Sequence, residues 1–315
     1  MSIALVFPGQ GSQSIGMLSA LASEYSIVQD TFEQASEVLG YDLWQLISTG
    51  PVETLNQTNY TQPAMLAAGI AVWRVWQQVT AIQPDYLAGH SLGEYTALVA
   101  AGSLSFEQGV ELVRYRGEIM QTAVPEGQGA MAAILGLNDD DVIALCQQAE
   151  QQTGHVASAV NFNSPGQVVV AGNAEAIHLV IDLAKTAGAK RAILLPVSVP
   201  SHCRLMTNAT KKMEEKLNDI NLLTPNIPVI HNVDVTASQA TDEIKKRLVM
   251  QLDHPVQWVK IIEWFKQQSI QNIIEIGPGK VLMGLTKRID KSLTSLSVFD
   301  VTSLNKAHQS VGEEK

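Results

Sequence analysis

The pentad Gly89-His90-Ser91-Leu92-Gly93 sets a hydroxyl between two glycines, after a short apolar run at 86–88 and before an Ala-rich stretch stopped by Gly102. A serine at a sharp strand-to-helix turn can serve as a nucleophile, and the turn needs small flanking residues because strand and helix backbones come close there. The same letters would suit a glycine-bounded turn with a helix-capping serine. The strand-turn-helix context favours the nucleophile. Acyl transfer at such a serine also needs a base for its proton and donors where the oxyanion forms. Leu92 N–H, directly after the serine, is one donor. The turn Gly9-Gln10-Gly11, which follows an apolar run at 3–7, is placed to offer Gln10 N–H as the second.

The base must come from seven histidines. His90 precedes the nucleophile on a tight turn and should point away from the hydroxyl, while His155, His178 and His308 sit in polar surroundings. His202 follows a proline-restricted segment, 196–201, and comes after the serine in hydrolase-like chain order, which makes it the leading candidate ahead of His231 and His254. Arg116 is anomalous. On a helix over 106–124, Glu107, Glu111, Arg114 and Glu118 share one face, but Arg116 falls among Leu112, Val113, Ile119 and Met120. A buried cation needs a partner: either a buried Asp or Glu in a structural ion pair, or a carboxylate brought by a substrate.

Other chemistries fit poorly. The third glycine of a dinucleotide fingerprint would fall at Ser14, and a phosphate loop around Gly279-Lys280 would have Ile274 and Val281 in place of its glycine and hydroxyl residue. Cys146 and Cys203 make no disulfide framework, and no spacing suggests a metal site. A net charge of -10 argues against nucleic acid and anionic membranes as partners. No apolar run approaches the ~20 residues of a membrane span, and the N-terminus lacks a signal peptide's basic region, so a cytoplasmic protein is expected.

The positioning elements read as α/β. At 46% hydrophobic, the 315 residues have ample core for one large or two modest units. Expected pieces are helices at 26–39 (closed by Gly40) and 64–77 (opened by Pro63), a helix at 204–217, a strand at 227–231, helices at 242–252 and 256–268, a strand at 272–276, and a turn at 277–279 before one last helix. Between them, 130–135, 139–152, 156–160, 167–171, 174–187 and 191–196 follow a β-α-β-β-α-β order, the split unit of ferredoxin-like domains. The expected organisation is a discontinuous large unit, 1–123 and 197–302, a small unit, 124–196, and a solvated flexible tail, 303–315.

Several segments together resemble the bacterial malonyl-CoA:acyl carrier protein transacylases. They are Phe7-Pro-Gly-Gln-Gly-Ser12, Thr61-Gln-Pro-Ala64, Gly89-His-Ser-Leu-Gly-Glu94, Arg116, Val160-Asn-Phe-Asn-Ser-Pro165, Val199-Pro-Ser-His202, Asn232 and Gln257. The similarity runs in order over all but the segment after Val301. It implies an α/β-hydrolase-like parallel-sheet core with an inserted ferredoxin-like subdomain, and a ping-pong transfer of malonyl from malonyl-CoA to the pantetheine thiol of acyl carrier protein. It further implies Ser91 as nucleophile, His202 as base, the Gln10 and Leu92 amides as oxyanion donors, and Arg116 as clamp for the malonyl carboxylate. Gln62, Asn161 and Asn163 are implied as substrate contacts. The stretch around Gln251 is implied to orient the base through a main-chain carbonyl. No cofactor or metal is implied, and a monomer is expected. Val199-Pro-Ser-His202, in place of the His-Ala-Phe-His or Tyr-Ala-Ser-His of modular polyketide acyltransferases, favours the free-standing fatty-acid enzyme. For an acidic carrier protein the candidate docking clusters are Lys190-Arg191, Lys245-Lys246-Arg247 and Lys287-Arg288. The rival readings are a serine hydrolase or thioesterase, and a docking module that keeps the fold without catalysis.

Overall fold

The computed structural model describes residues 2–197 and 199–312. Its strands are β1 (Ile3–Phe7), β2 (Tyr86–Gly89), β3 (Gly129–Leu135), β4 (Ala157–Ser164), β5 (Gln167–Asn173), β6 (Arg191–Leu194), β7 (Val229–Ile230), β8 (Asn272–Ile276) and β9 (Thr294–Val298). Two sheets result. One has the order β7-β2-β1-β8-β9 and is parallel throughout. Its central strand β1 is buried at every residue, as expected of a parallel strand covered by helices on both faces. The other sheet, β4-β5-β3-β6, is antiparallel and carries the helices Asp139–Thr153 and Ala174–Thr186 on one face, in the spatial order of a ferredoxin-like split unit.

The two sheets meet at the edge of β4. Val256 N–H donates to Val160 O at 2.9 Å and Phe162 N–H to Val256 O at 3.1 Å, so a strand of the small sheet is stitched to a loop of the large unit. Met131, Val160, Val169 and Ala171 close over Cys203 at this seam. Above it the functional cavity opens.

Three expectations are corrected. The segment read as a flexible tail is a helix, Val301–Gly312, whose Leu304, Ala307 and Val311 are buried at helical spacing. Ser303 N–H donates to Asp300 Oδ1 at 2.7 Å at its start, a capping signal that the polar composition hid. Residues 313–315 of that tail lie outside the described residues. Pro63 does not open its helix but sits inside Thr58–Val79, where packing on nearly all sides offsets one missing backbone bond. After Gly279 the chain forms not one last helix but Val281–Ile289, β9 and Val301–Gly312, because β9 is needed to cover the edge of β8. Among the described residues no helix is long and apolar enough to cross a membrane.

Candidate active site

The turn between β2 and the helix Gly93–Ala100 places Ser91 at φ +52°, a left-handed conformation that non-glycine residues seldom adopt. Its neighbours could not be larger. A Cβ on Gly89 would lie 1.8 Å from Gly93 C, and one on Gly93 would lie 2.1 Å from Phe7 O. The glycines are therefore required by the close passage of helix over strand. Asn232, just after β7, braces both sides of the turn: its Nδ2 donates to Gly89 O at 2.7 Å, and its Oδ1 accepts from Ser91 N–H at 2.7 Å.

His202 also has positive φ, at +64°, and is buried. Its Nε2 lies 2.7 Å from Ser91 Oγ and its Nδ1 2.6 Å from the main-chain oxygen of Gln251, so that carbonyl selects the Nδ1–H tautomer and leaves Nε2 free to accept. The imidazole pKa is lowered to about 3, first by burial and then by the Arg116 charge. His202 is thus neutral at physiological pH.

Arg116 projects from the helix Phe106–Gln121 into the same cavity and is 1% exposed. Among the described residues it forms no ion pair. Its Nη1 donates to Gln62 Oε1 at 3.0 Å, and its Nη2 donates to Gln251 Oε1 at 2.9 Å and to Ser91 Oγ at 3.3 Å. Among the described residues Nε has no hydrogen-bond partner, and the guanidinium lies 5.3 Å from the Tyr95 ring centre. A full positive charge is therefore held beside the serine by neutral acceptors.

The cavity, about 240 Å³, is lined by Gln10, Ser91, Leu92, Arg116, Asn161, Asn163 and His202, with Met120, Met131, Val169 and Leu195 as its apolar wall. Both structural units contribute. Gln10 and Leu92 face it from the turns after β1 and β2, and among the described residues neither main-chain N–H has a protein acceptor. Asn163 Oδ1 lies 2.8 Å from His90 Nε2, which turns the His90 ring away from the serine hydroxyl. Gln62 is buried behind Arg116, accepting from its Nη1 through Oε1, and is not among the residues that line the cavity.

Residues missed by sequence reasoning lie behind this wall. Glu94, fully buried, accepts from Asn232 N–H at 3.0 Å and Gln251 Nε2–H at 2.8 Å, and lies 2.7 Å from His231 Nδ1. Glu94 stood in a resembling segment without a role, and the signal for one was a carboxylate in the first turn of a largely apolar helix. His231, weighed as a base, is 0% exposed and faces Glu94 rather than Ser91, and His254 is surface-exposed beside Asp253.

A serine, a neutral imidazole, two open amides and a buried cation around one cavity suit acyl transfer from an anionic donor. Residues 4–311 match the family model of the acyl transferase domain. A malonyl CoA-acyl carrier protein transacylase of Haemophilus influenzae is 54% identical over 96% of this chain and 96% of its own length, and one of Escherichia coli is 52% identical over 96% and 97%. A malonyl-transacylase solved in complex with its type II PKS acyl-carrier protein superposes with a TM-score of 0.97 at 50% identity, covering 98% of this chain and all of that one. The chain belongs to the acyl transferase domain family, within the malonyl CoA-acyl carrier protein transacylases.

Proposed function

We propose that this protein moves malonyl from malonyl-CoA to the pantetheine thiol of acyl carrier protein through a seryl ester on Ser91, supplying the elongation unit for fatty acid synthesis. The observation that carries this reading is the meeting at Ser91 Oγ of His202 Nε2, at 2.7 Å, and Arg116 Nη2, at 3.3 Å. His202 takes the hydroxyl proton as Oγ attacks the thioester carbonyl, and the negative oxygen forms facing the Gln10 and Leu92 N–H groups. The C–S bond then breaks and coenzyme A leaves with the proton from His202. The carrier thiol enters, gives its proton to His202 and attacks the ester. Ser91 Oγ departs, recovering that proton.

Arg116 receives the malonyl carboxylate throughout, and Asn161 and Asn163 line the acyl and pantetheine path. A neutral acyl group would leave the buried charge without an anion, so acetyl is disfavoured. The reaction uses no cofactor or metal, and we assign it to a cytoplasmic monomer. Incubation with malonyl-CoA should add one malonyl per chain, lost in Ser91→Ala; undiminished labelling of that variant would refute the seryl ester.

A further inference from the structure

We propose that Glu94 is a positioning residue for malonyl selectivity, acting on Arg116 through the side-chain amide of Gln251. This rests on the reading of Arg116 given above. Gln251 Nε2 donates to two acceptors, Glu94 Oε2 at 2.8 Å and Ser91 O at 2.9 Å. With both amide protons so placed, Oε1 must face Arg116 Nη2, at 2.9 Å. Removing the Glu94 acceptor would free the amide to invert, which would set Nε2–H against the guanidinium, donor to donor.

The spacing also settles a problem of charge. A guanidinium this deeply buried needs an anion nearby, yet one in direct contact would occupy the fork that a substrate carboxylate must use. Glu94 stands one amide away. At that remove its charge favours the cation without capping it. Glu94 is fixed in turn by Asn232 N–H and His231 Nδ1 on the far side, at 3.0 and 2.7 Å, so the carboxylate cannot swing across to Arg116. The same Gln251 offers His202 its main-chain oxygen, which a side-chain substitution leaves in place.

The test is the ratio of kcat/KM for seryl loading by malonyl-CoA to that by acetyl-CoA, measured in wild type, Glu94→Leu, Gln251→Met and the double variant. Wild-type loading is the control: if malonyl does not load there, the reading of the site has failed, not this proposal. Both single variants are expected to lose at least fivefold in the ratio, and the double variant to lose no more than the worse single, since both cut one chain of bonds. A merely structural disturbance slows both thioesters alike. A ratio that falls less than fivefold, or losses that multiply in the double variant, would overturn the proposal. If melting shows Glu94→Leu unfolded, Gln251→Met alone decides. If neither folds, these residues serve the fold and the proposal is wrong.

Discussion

Ser91, His202 and Arg116 constrain one another through burial. The charge of Arg116 stabilises a developing oxyanion or carboxylate nearby, and the same charge, added to burial, holds the His202 pKa down to about 3. A base with so low a pKa is unprotonated over the whole physiological range, so kcat/KM for seryl loading should stay level from pH 8 to pH 5. An acid limb centred near 6.5 would contradict this. The stability linkage has a definite sign: the unfolded chain takes up a proton on this residue below its ordinary pKa of 6.5 and the native state does not, so stability is lost as pH falls from there towards 3. Replacing Arg116 with Ala removes one cause of the depression and the partner of the malonyl carboxylate together. The malonyl-to-acetyl preference should then drop by roughly 30- to 150-fold, equivalent to the ~2–3 kcal/mol of a charged hydrogen bond, and any acid limb should move towards neutral pH. Unchanged selectivity would remove Arg116 from the site. The sequence disclosed this residue because a lone cation on an apolar helical arc is costly. Its holders, Gln62 and the Gln251 side chain, were not legible as such, since an amide has no sequence pattern that shows which partner it will face.

The elements decide whether those residues meet. Gly93→Ala would drive a Cβ to 2.1 Å from Phe7 O, a backbone atom of the central strand, so the helix must lift from the sheet. Destabilisation of more than about 3 kcal/mol in denaturant unfolding, with loss of labelling, is expected; a stable, active Gly93→Ala protein would mean the turn is not the tight one described. This element was legible because apolar run, glycine, serine and glycine state the geometry locally. So were β1, whose five apolar residues match the strand found, and the helix Ile27–Leu39, closed by Gly40 at φ +76°. The C-terminal helix was not. Only three of its residues are buried, so its composition reads as solvated although its apolar spacing is helical. β9 was missed for a like reason: Thr294, Ser295 and Ser297 are three of its five residues, so no apolar run announces it.

At the scale of the whole molecule, the cavity lies where two sheets of different construction meet, and its charged surroundings are asymmetric. Lys190 and Arg288, far apart in sequence, line one surface cavity together with Gln167. Gln167 also lines a small cleft with Asn163 and His90, both of which border the catalytic cavity. The surface cavity is thus linked to the catalytic one only through the residues that border the cleft between them. Arg247 and Lys246, by contrast, are paired with Asp234 and Glu243 and present little free charge. Of the three basic clusters considered from the sequence, two therefore each give a residue to one surface cavity, and in the third Lys246 and Arg247 are paired locally. Reversing Lys190 and Arg288 to Glu should raise KM for carrier protein and flatten its salt dependence, while the same change at Lys245 and Lys246 should do neither; equal effects would dismiss that cavity as the docking surface. That shared cavity was invisible in the linear chain, because it depends on the residue before β6 and the end of the helix Val281–Ile289 both lying against the turn between β4 and β5. The most direct measurement of the central claim is the intact mass of the protein and of holo-carrier protein, followed after malonyl-CoA is mixed with the first and the second is added. One malonyl mass should appear on the enzyme and then move to the carrier. A malonyl that is released to water, or that reaches the carrier equally well with Ser91→Ala, would contradict it.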